Sequence, residues 1–155
     1  MRPTSHRLAR YIIASYNLSR KDLVMAEIIE TNAKTFSASA PIKQHARVIL
    51  EAGGTIKEAG LAEKEIGTAL TEAFAAGDRI AVKLRSAAGT HKMIASEQLG
   101  DPAVVGLAVY TQLVGEVQTS DEATAFLIGT LLSVGGAKGD IVEVLYNAHG
   151  DTANT

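Results

Sequence analysis

Short apolar runs that alternate with polar residues recur along most of this chain. In "DRIAVKL", the apolar side chains of Ile80, Val82 and Leu84 alternate with smaller or charged ones, which is the period of a strand with one buried face. Similar runs, bounded by Gly, Asp or Pro, are "HKMIAS", "LAVYTQ", "GEVQT", "AFLIGTLL" and "DIVEVLY". Short strands that recur roughly every ten residues are typical of all-β sandwiches and barrels. We therefore predict a mainly β fold, a compact barrel or sandwich of short antiparallel strands.

Two segments also carry helix-forming residues. "TIKEAGLAEKEIGTALTEAFAAGD" is rich in Ala, Glu and Lys, but Gly60, Gly67 and Gly77 interrupt it, and each glycine costs about 1 kcal/mol relative to Ala in a helix. Only a single helical turn across "TEAFAAG" is compatible with those glycines. "SRKDLVMAEIIETNAK" stays open between a capped helix and a buried strand. The prediction therefore includes one or two short helices.

One sequence pattern occurs twice in this chain. "GTALTEAFAAGDRIAV" (67–82) and "GTLLSVGGAKGDIVEV" (129–144) share Gly-Thr, Leu, Gly-Asp and Val in one constant register, which pairs Gly67 with Gly129 and Val82 with Val144. Upstream, "ARVILEAGGTI" aligns with "LAVYTQLVGEV" after a slip of a single position, so that Val48 pairs with Val109. This register predicts an internal two-fold repeat with halves at about 41–84 and 103–146. We expect each half to cover the apolar face of the other.

Glycine and aspartate recur at matching positions of the two halves. Glycine adopts positive φ values and lets two backbones approach closely, whereas other residues do so only at a cost in free energy. An aspartate that follows it accepts hydrogen bonds from neighbouring amides and fixes a turn before the next strand. The structural turn residues predicted on this basis are Gly54, Gly67, Gly77, Asp78, Gly115, Gly129, Gly139 and Asp140.

Composition limits the other possibilities. With 155 residues, 46% of them hydrophobic but only 5% aromatic and no Cys or Trp, the core must consist of Val, Ile, Leu and Ala, without disulfides. We divide the chain into a basic N-terminal arm (1–24), a β-rich domain (25–150) and a flexible tail (151–155). A net charge of −2 and the lack of a bilayer-length apolar run argue against nucleic-acid and membrane partners.

The arm concentrates positive charge. Residues 1–21 carry five Arg or Lys and no acidic residue before Asp22. Such an arm is either a solvated tail or a segment that orders against an acidic partner, for example by adding a strand to its edge. "YIIA" is too short for a secretory h-region, so we expect a soluble protein that is made inside the cell. The candidate contacts to such a partner, chosen for their positive charge or for the apolar area of an aromatic ring, are Arg2, Arg7, Arg10, Tyr11, Arg20 and Lys21.

Motifs for catalysis are lacking in the sequence. The four histidines have no metal-pair spacing, and "GGAKGD" lacks the pattern of a phosphate-binding loop. We therefore predict no enzyme activity, no metal site and no cofactor. The alternative kept open is a small hydrolase in which His91 acts as a base with Asp78 or Asp140.

From about Pro41 to Leu145 the chain resembles the capsid cement, or head-decoration, proteins of tailed bacteriophages. The resemblance rests on "ARVILEAGGTIKEAG", "EIGTALTEAFAAGDRIAVKL", "AGTHKMIAS", "GLAVYTQLVGEVQ" and "FLIGTLLSVGGAKGDIVEVL". It implies a homotrimer on the outer capsid surface of the virion, at local three-fold positions, that clamps neighbouring subunits of the major capsid protein. It also implies no catalytic residues and capsid contacts through the N-terminal part. The alternative is a β-rich phage tail or baseplate accessory, or another protein-interaction module.

Overall fold

The computed structural model describes residues 33–99 and 105–147. The predicted basic arm (1–24), with its six candidate contact residues, and the predicted tail (151–155) lie outside these residues. Within them the fold is mainly β, as predicted, and it consists of two five-stranded units in tandem.

The first unit is a closed barrel. Its strands are β1 (Ala33–Ala38), β2 (Arg47–Leu50), β3 (Thr55–Glu58), β4 (Gly67–Ala69) and β5 (Arg79–Leu84). They are ordered β1-β3-β2-β4-β5, and β5 pairs again with β1. All pairings are antiparallel except β1 with β3, which run parallel. Closure leaves none of the five strands with a free edge along its paired length.

The second unit is a five-stranded sheet. Its strands are β6 (His91–Ile94), β7 (Ala108–Thr111), β8 (Val117–Gln118), β9 (Leu127–Leu131) and β10 (Ile141–Tyr146), ordered β6-β10-β9-β7-β8. A parallel bridge from Ala95 to Val117 connects the two ends of this order. A 3-10 helix, Leu113–Gly115, joins β7 to β8 and is the single helix in the described part of the chain.

The two units repeat the same pairings, which confirms the predicted duplication. Val48 faces Gly67 in the first unit, and Val109 faces Gly129 in the second. The parallel contact between β1 and β3 likewise corresponds to the bridge that links Ala95 to Val117. The structural repeat starts earlier than the sequence indicated, at β1 and β6. The residues of these two strands have little in common, so the sequence alone does not align them.

Each unit buries its own apolar cluster, so the expectation that each half covers the other's apolar face is wrong. Five short strands that curve round on themselves already enclose their inner face, and a barrel this narrow has room for small aliphatic side chains. Ile94 is the exception, since it lies on β6 but packs in the first cluster. The first cluster is Ala38, Ile42, Ala46, Val48, Ile56, Ala69, Ala73, Ile80, Val82 and Ile94. The second is Met93, Ala95, Leu99, Val109, Val117, Ile128, Leu131, Val142 and Val144.

Gly67 and Gly129 lie within strands, so their prediction as turn residues is wrong. A Cβ atom at Gly67 would lie 2.1 Å from the carbonyl oxygen of Lys83, and one at Gly129 would lie 2.0 Å from that of Leu145. Both distances are far below any van der Waals contact. Glycine is required here because β4 crosses close to β5, and β9 close to β10.

The Gly-Asp pairs do form turns that precede strands β5 and β10. Gly77 and Gly139 have φ values of 91° and 92°, in the region that favours glycine. The Oδ2 atoms of Asp78 and Asp140 accept a hydrogen bond from the amide three residues earlier, at 3.0 Å and 2.9 Å. Gly54 lies in the β2–β3 hairpin with φ 87°, and Gly115 in the 3-10 helix with φ 72°.

Candidate interaction surface

The three residues of the predicted hydrolase site are not brought together. The backbone of Asp140 pairs with Ala95, four residues along the chain from His91, which corresponds to about 13 Å at the rise of a strand. Asp78 precedes β5 in the other unit, and its side chain is engaged by the amides of Phe74 and Ala75. These positions do not support a shared proton relay.

His91 is instead a buried contact between the two units. Its Nδ1 atom lies 3.0 Å from the Oγ1 atom of Thr68 in β4, and its ring meets Tyr146 edge-on at a centroid distance of 4.5 Å. Burial lowers the pKa of His91 to about 4, and the positive charge of Lys83 acts in the same direction. His91 is therefore neutral at neutral pH and packs as a polar core residue.

Arg47 forms a second buried contact between the units, and it was not anticipated from the sequence. The side chain is fully buried, and its Nη1 atom lies 3.1 Å from the Oε2 atom of Glu65, whose side chain is also buried. Its Nε atom donates to the carbonyl oxygen of Glu116 at 2.9 Å, and its Nη2 atom donates to that of Gln112. Burial lowers the pKa of Arg47, and the Glu65 carboxylate counteracts this effect. One guanidinium thus ties the first barrel to both ends of the β7–β8 connection.

The only sequence signal for this contact lies in the repeat itself. Arg47 aligns with Ala108 in the register that pairs Val48 with Val109, so a charged residue in one half has an apolar counterpart in the other. Such a divergence at an inward-facing position indicates a contact that only one half makes. An open hollow of about 710 Å³ on the described surface is lined mainly by residues 84–89 and 145–147.

Neither a metal site nor a membrane-spanning helix occurs in the part of the chain that the structure describes. No group of three or more His, Asp or Glu side chains there is arranged to hold a metal ion. No helix among these residues has the length and hydropathy needed to cross a bilayer.

The outer face of the second unit carries apolar side chains at positions where the first unit is mostly charged, with the exposed Glu143 between two of them on β10. We define the second-unit face by four side chains that are each 40–44% exposed, namely Leu132, Val134, Ile141 and Leu145. In the register that pairs Gly129 with Gly67, the equivalent positions of the first unit are Leu70, Glu72, Arg79 and Lys83. Both units fold in the same way, so folding does not require these apolar residues on the outside. Exposed apolar patches of this kind mark interaction surfaces.

The fold has a counterpart among solved structures. It is similar to the crystal structure of the N base of head fiber gp8.5 in bacteriophage phi29, with a TM-score of 0.61. The similarity covers 74% of this chain and 92% of that chain, at 16% sequence identity. No protein-family model and no curated protein matches this chain.

An identity this low shows a shared fold and not a shared family. The alignment nevertheless covers 74% of this chain, which is more than either unit contains, so the likeness extends over both units. The cement-protein family predicted from the sequence is not singled out by these comparisons.

Proposed function

We propose that this chain is a bacteriophage structural protein that attaches to the outside of the capsid. The observation that carries the proposal is the shared fold with the base of a phage head fiber, over 92% of that structure. A fold alone does not determine a function. The proposal therefore also draws on the surface, because the four side chains of the second-unit face expose apolar area to solvent.

In this proposal the partner is the major capsid protein, and three copies of this chain assemble at each local three-fold position. Three copies arranged around such an axis present the same surface to each neighbouring coat subunit. Several contacts of modest strength then act together, so the assembly stays bound and holds adjacent coat subunits in place. A closed barrel and a five-stranded sheet tied by the buried Arg47 suit this role, because a rigid body loses little conformational freedom on binding.

The basic arm supplies a second, electrostatic contact in this proposal. Arg2, Arg7 and Arg10, together with Arg20 and Lys21, would meet acidic side chains of the coat protein, and Tyr11 would add apolar area. Such a contact weakens as salt is raised, because exposed charges are screened over about 10 Å at 0.1 M ionic strength.

Co-sedimentation with expanded capsids that lack the protein tests the proposal. We expect saturable binding to heads, a stoichiometry in multiples of three per local three-fold axis, and a trimer by analytical ultracentrifugation. Replacing Arg2, Arg7 and Arg10 with Gln should weaken binding most at low salt, whereas the matched control Arg79→Gln, at an exposed site on β5, should not. Binding to tails but not to heads would contradict the proposal and favour a tail or baseplate accessory.

A further inference from the structure

The connection between β7 and β8 carries a valine in a backbone conformation that valine rarely adopts. Val114 has φ 57°, in the left-handed region, where a β-branched residue is strained. The equivalent residue of the first unit, in the register that pairs Val109 with Val48, is Gly53 with φ 101°. The first unit shows that glycine serves this turn. The strain at Val114 therefore has no explanation in the folding of the turn.

The strained residue is held in place by buried groups. Arg47 donates to the carbonyl oxygens of Gln112 and Glu116, which bracket residues 113–115. The side chain of Gln112 accepts a hydrogen bond from the Leu113 amide at 2.7 Å. Gly115 donates from its amide to the first unit at 2.8 Å, and a Cβ atom there would lie 2.9 Å from the Arg47 carbonyl oxygen. The connection is thus positioned by the body of the protein.

The side chains that the β7–β8 connection exposes to solvent are apolar. Leu113 is 57% exposed and Val114 is 52% exposed, so together they form an apolar tip. Their counterparts in the first unit are Ala52 and Gly53, which present almost no side chain. Strain of this kind is retained at functional sites when the surrounding structure enforces it, and a preorganised apolar tip binds with a small entropic cost.

Acidic groups border the tip. The depression beside it has a volume of about 450 Å³ and is lined by Leu113, Val114 and a set of mostly acidic or polar side chains. Its charged members are Glu97, Glu116, Glu122 and Lys138. Glu116 is paired with Lys43 at 3.6 Å. Two carboxylates, those of Glu97 and Glu122, then remain against the one ammonium of Lys138, and this excess of negative charge favours a partner whose own rim is basic.

We propose that the Leu113–Val114 tip is a docking element that inserts into an apolar socket of the coat protein bordered by Lys or Arg side chains. This inference rests on the proposed function, because it assigns the partner of that attachment. It also predicts a contact separate from the basic arm and of opposite charge, so the two contacts need different surfaces on the coat protein.

The variant Val114→Gly tests the proposal on the full chain. Glycine relieves the strain and reproduces the first-unit turn, so the thermal midpoint should equal or exceed that of the wild type. Binding to expanded capsids should weaken about tenfold, since the apolar side chain is lost, which corresponds to about 1.4 kcal/mol. Leu113→Ser should weaken binding to a similar extent. Glu122→Gln should reduce the dependence of binding on salt.

Ala52→Ser is the matched control, because Ala52 is the first-unit counterpart of Leu113 and is exposed. It should leave capsid binding and thermal stability unchanged. If Val114→Gly binds capsids as tightly as the wild type, the tip is not the contact, although the proposed function stands. If Val114→Gly is less stable than the wild type, Val114 serves folding and the inference is wrong. If the wild type does not bind capsids, the proposed function fails, and the assigned partner fails with it.

Discussion

A methyl group added at Gly129 tests whether the repeated glycines serve the crossing of paired strands. In Gly129→Ala the new Cβ atom would lie 2.0 Å from the carbonyl oxygen of Leu145 and 2.8 Å from its carbonyl carbon. Ordinary contacts begin at 3.4 Å, so β9 and β10 would have to separate by more than an ångström. Both groups that collide belong to backbone, and neither can rotate away.

The expected cost follows from this geometry. Insertion of a methyl group into a well-packed site costs roughly 1–3 kcal/mol and occasionally more, and a collision with backbone belongs at the upper end. A loss of about 3 kcal/mol in the free energy of unfolding lowers the thermal midpoint of a chain this size by roughly 6–12 °C. Gly67→Ala should have a similar effect, because its Cβ atom would meet the Lys83 carbonyl oxygen at 2.1 Å.

Differential scanning calorimetry and urea denaturation measure these losses. Gly136→Ala is the matched control, since its Cβ atom would meet nothing closer than the Asp140 carboxylate at 3.4 Å. It should change stability by less than about 0.5 kcal/mol. Gly129→Ala and Gly67→Ala variants as stable as the wild type would refute the close strand crossing, and with it the physical reason for the repeated glycine.

Three further changes probe the buried and turn residues. Arg47→Met should cost roughly 3–5 kcal/mol in urea denaturation, because it leaves Glu65 buried without its closest partner; a loss below about 1 kcal/mol would contradict that pairing. The pKa of His91 is lowered to about 4 in the folded protein, so its contribution to stability is complete above the unfolded value near 6.5 and declines as pH falls toward 4. Between pH 6.5 and 5 the wild type should therefore lose more stability than His91→Gln, and parallel pH profiles would contradict this. Asp78→Ala should cost about 1–2 kcal/mol and more than Asp140→Ala, since Asp78 accepts two amide hydrogen bonds and Asp140 one; equal thermal midpoints would argue against it.

Local patterning was sufficient to predict the fold class and the duplication. In β5 and β10 the inward residues alternate with outward ones, as in Val142 and Val144, which are buried while Ile141 and Leu145 are exposed. Alternation of this kind is a property of neighbouring residues, so it is visible in the sequence. The Gly-Asp turns were predictable for the same reason, because their hydrogen bonds span only three or four residues.

Features that depend on distant parts of the chain were not predictable. The parallel pairing of β1 with β3 and the closure of the barrel join segments that share no local signal. Gly67 and Gly129 were assigned to turns because a glycine in a strand and one in a turn look alike without the partner strand. The Arg47 contact joins residues up to 69 positions apart, so alternation alone could not place that side chain inside.

A cryo-electron microscopy reconstruction of the particle that carries this chain tests the central claim most directly. The account predicts density for both five-stranded units on the outer capsid surface, three copies around each local three-fold axis, with the Leu113–Val114 tip seated in the coat protein. Density for this chain at the tail or baseplate, or its absence from the head, would contradict the account.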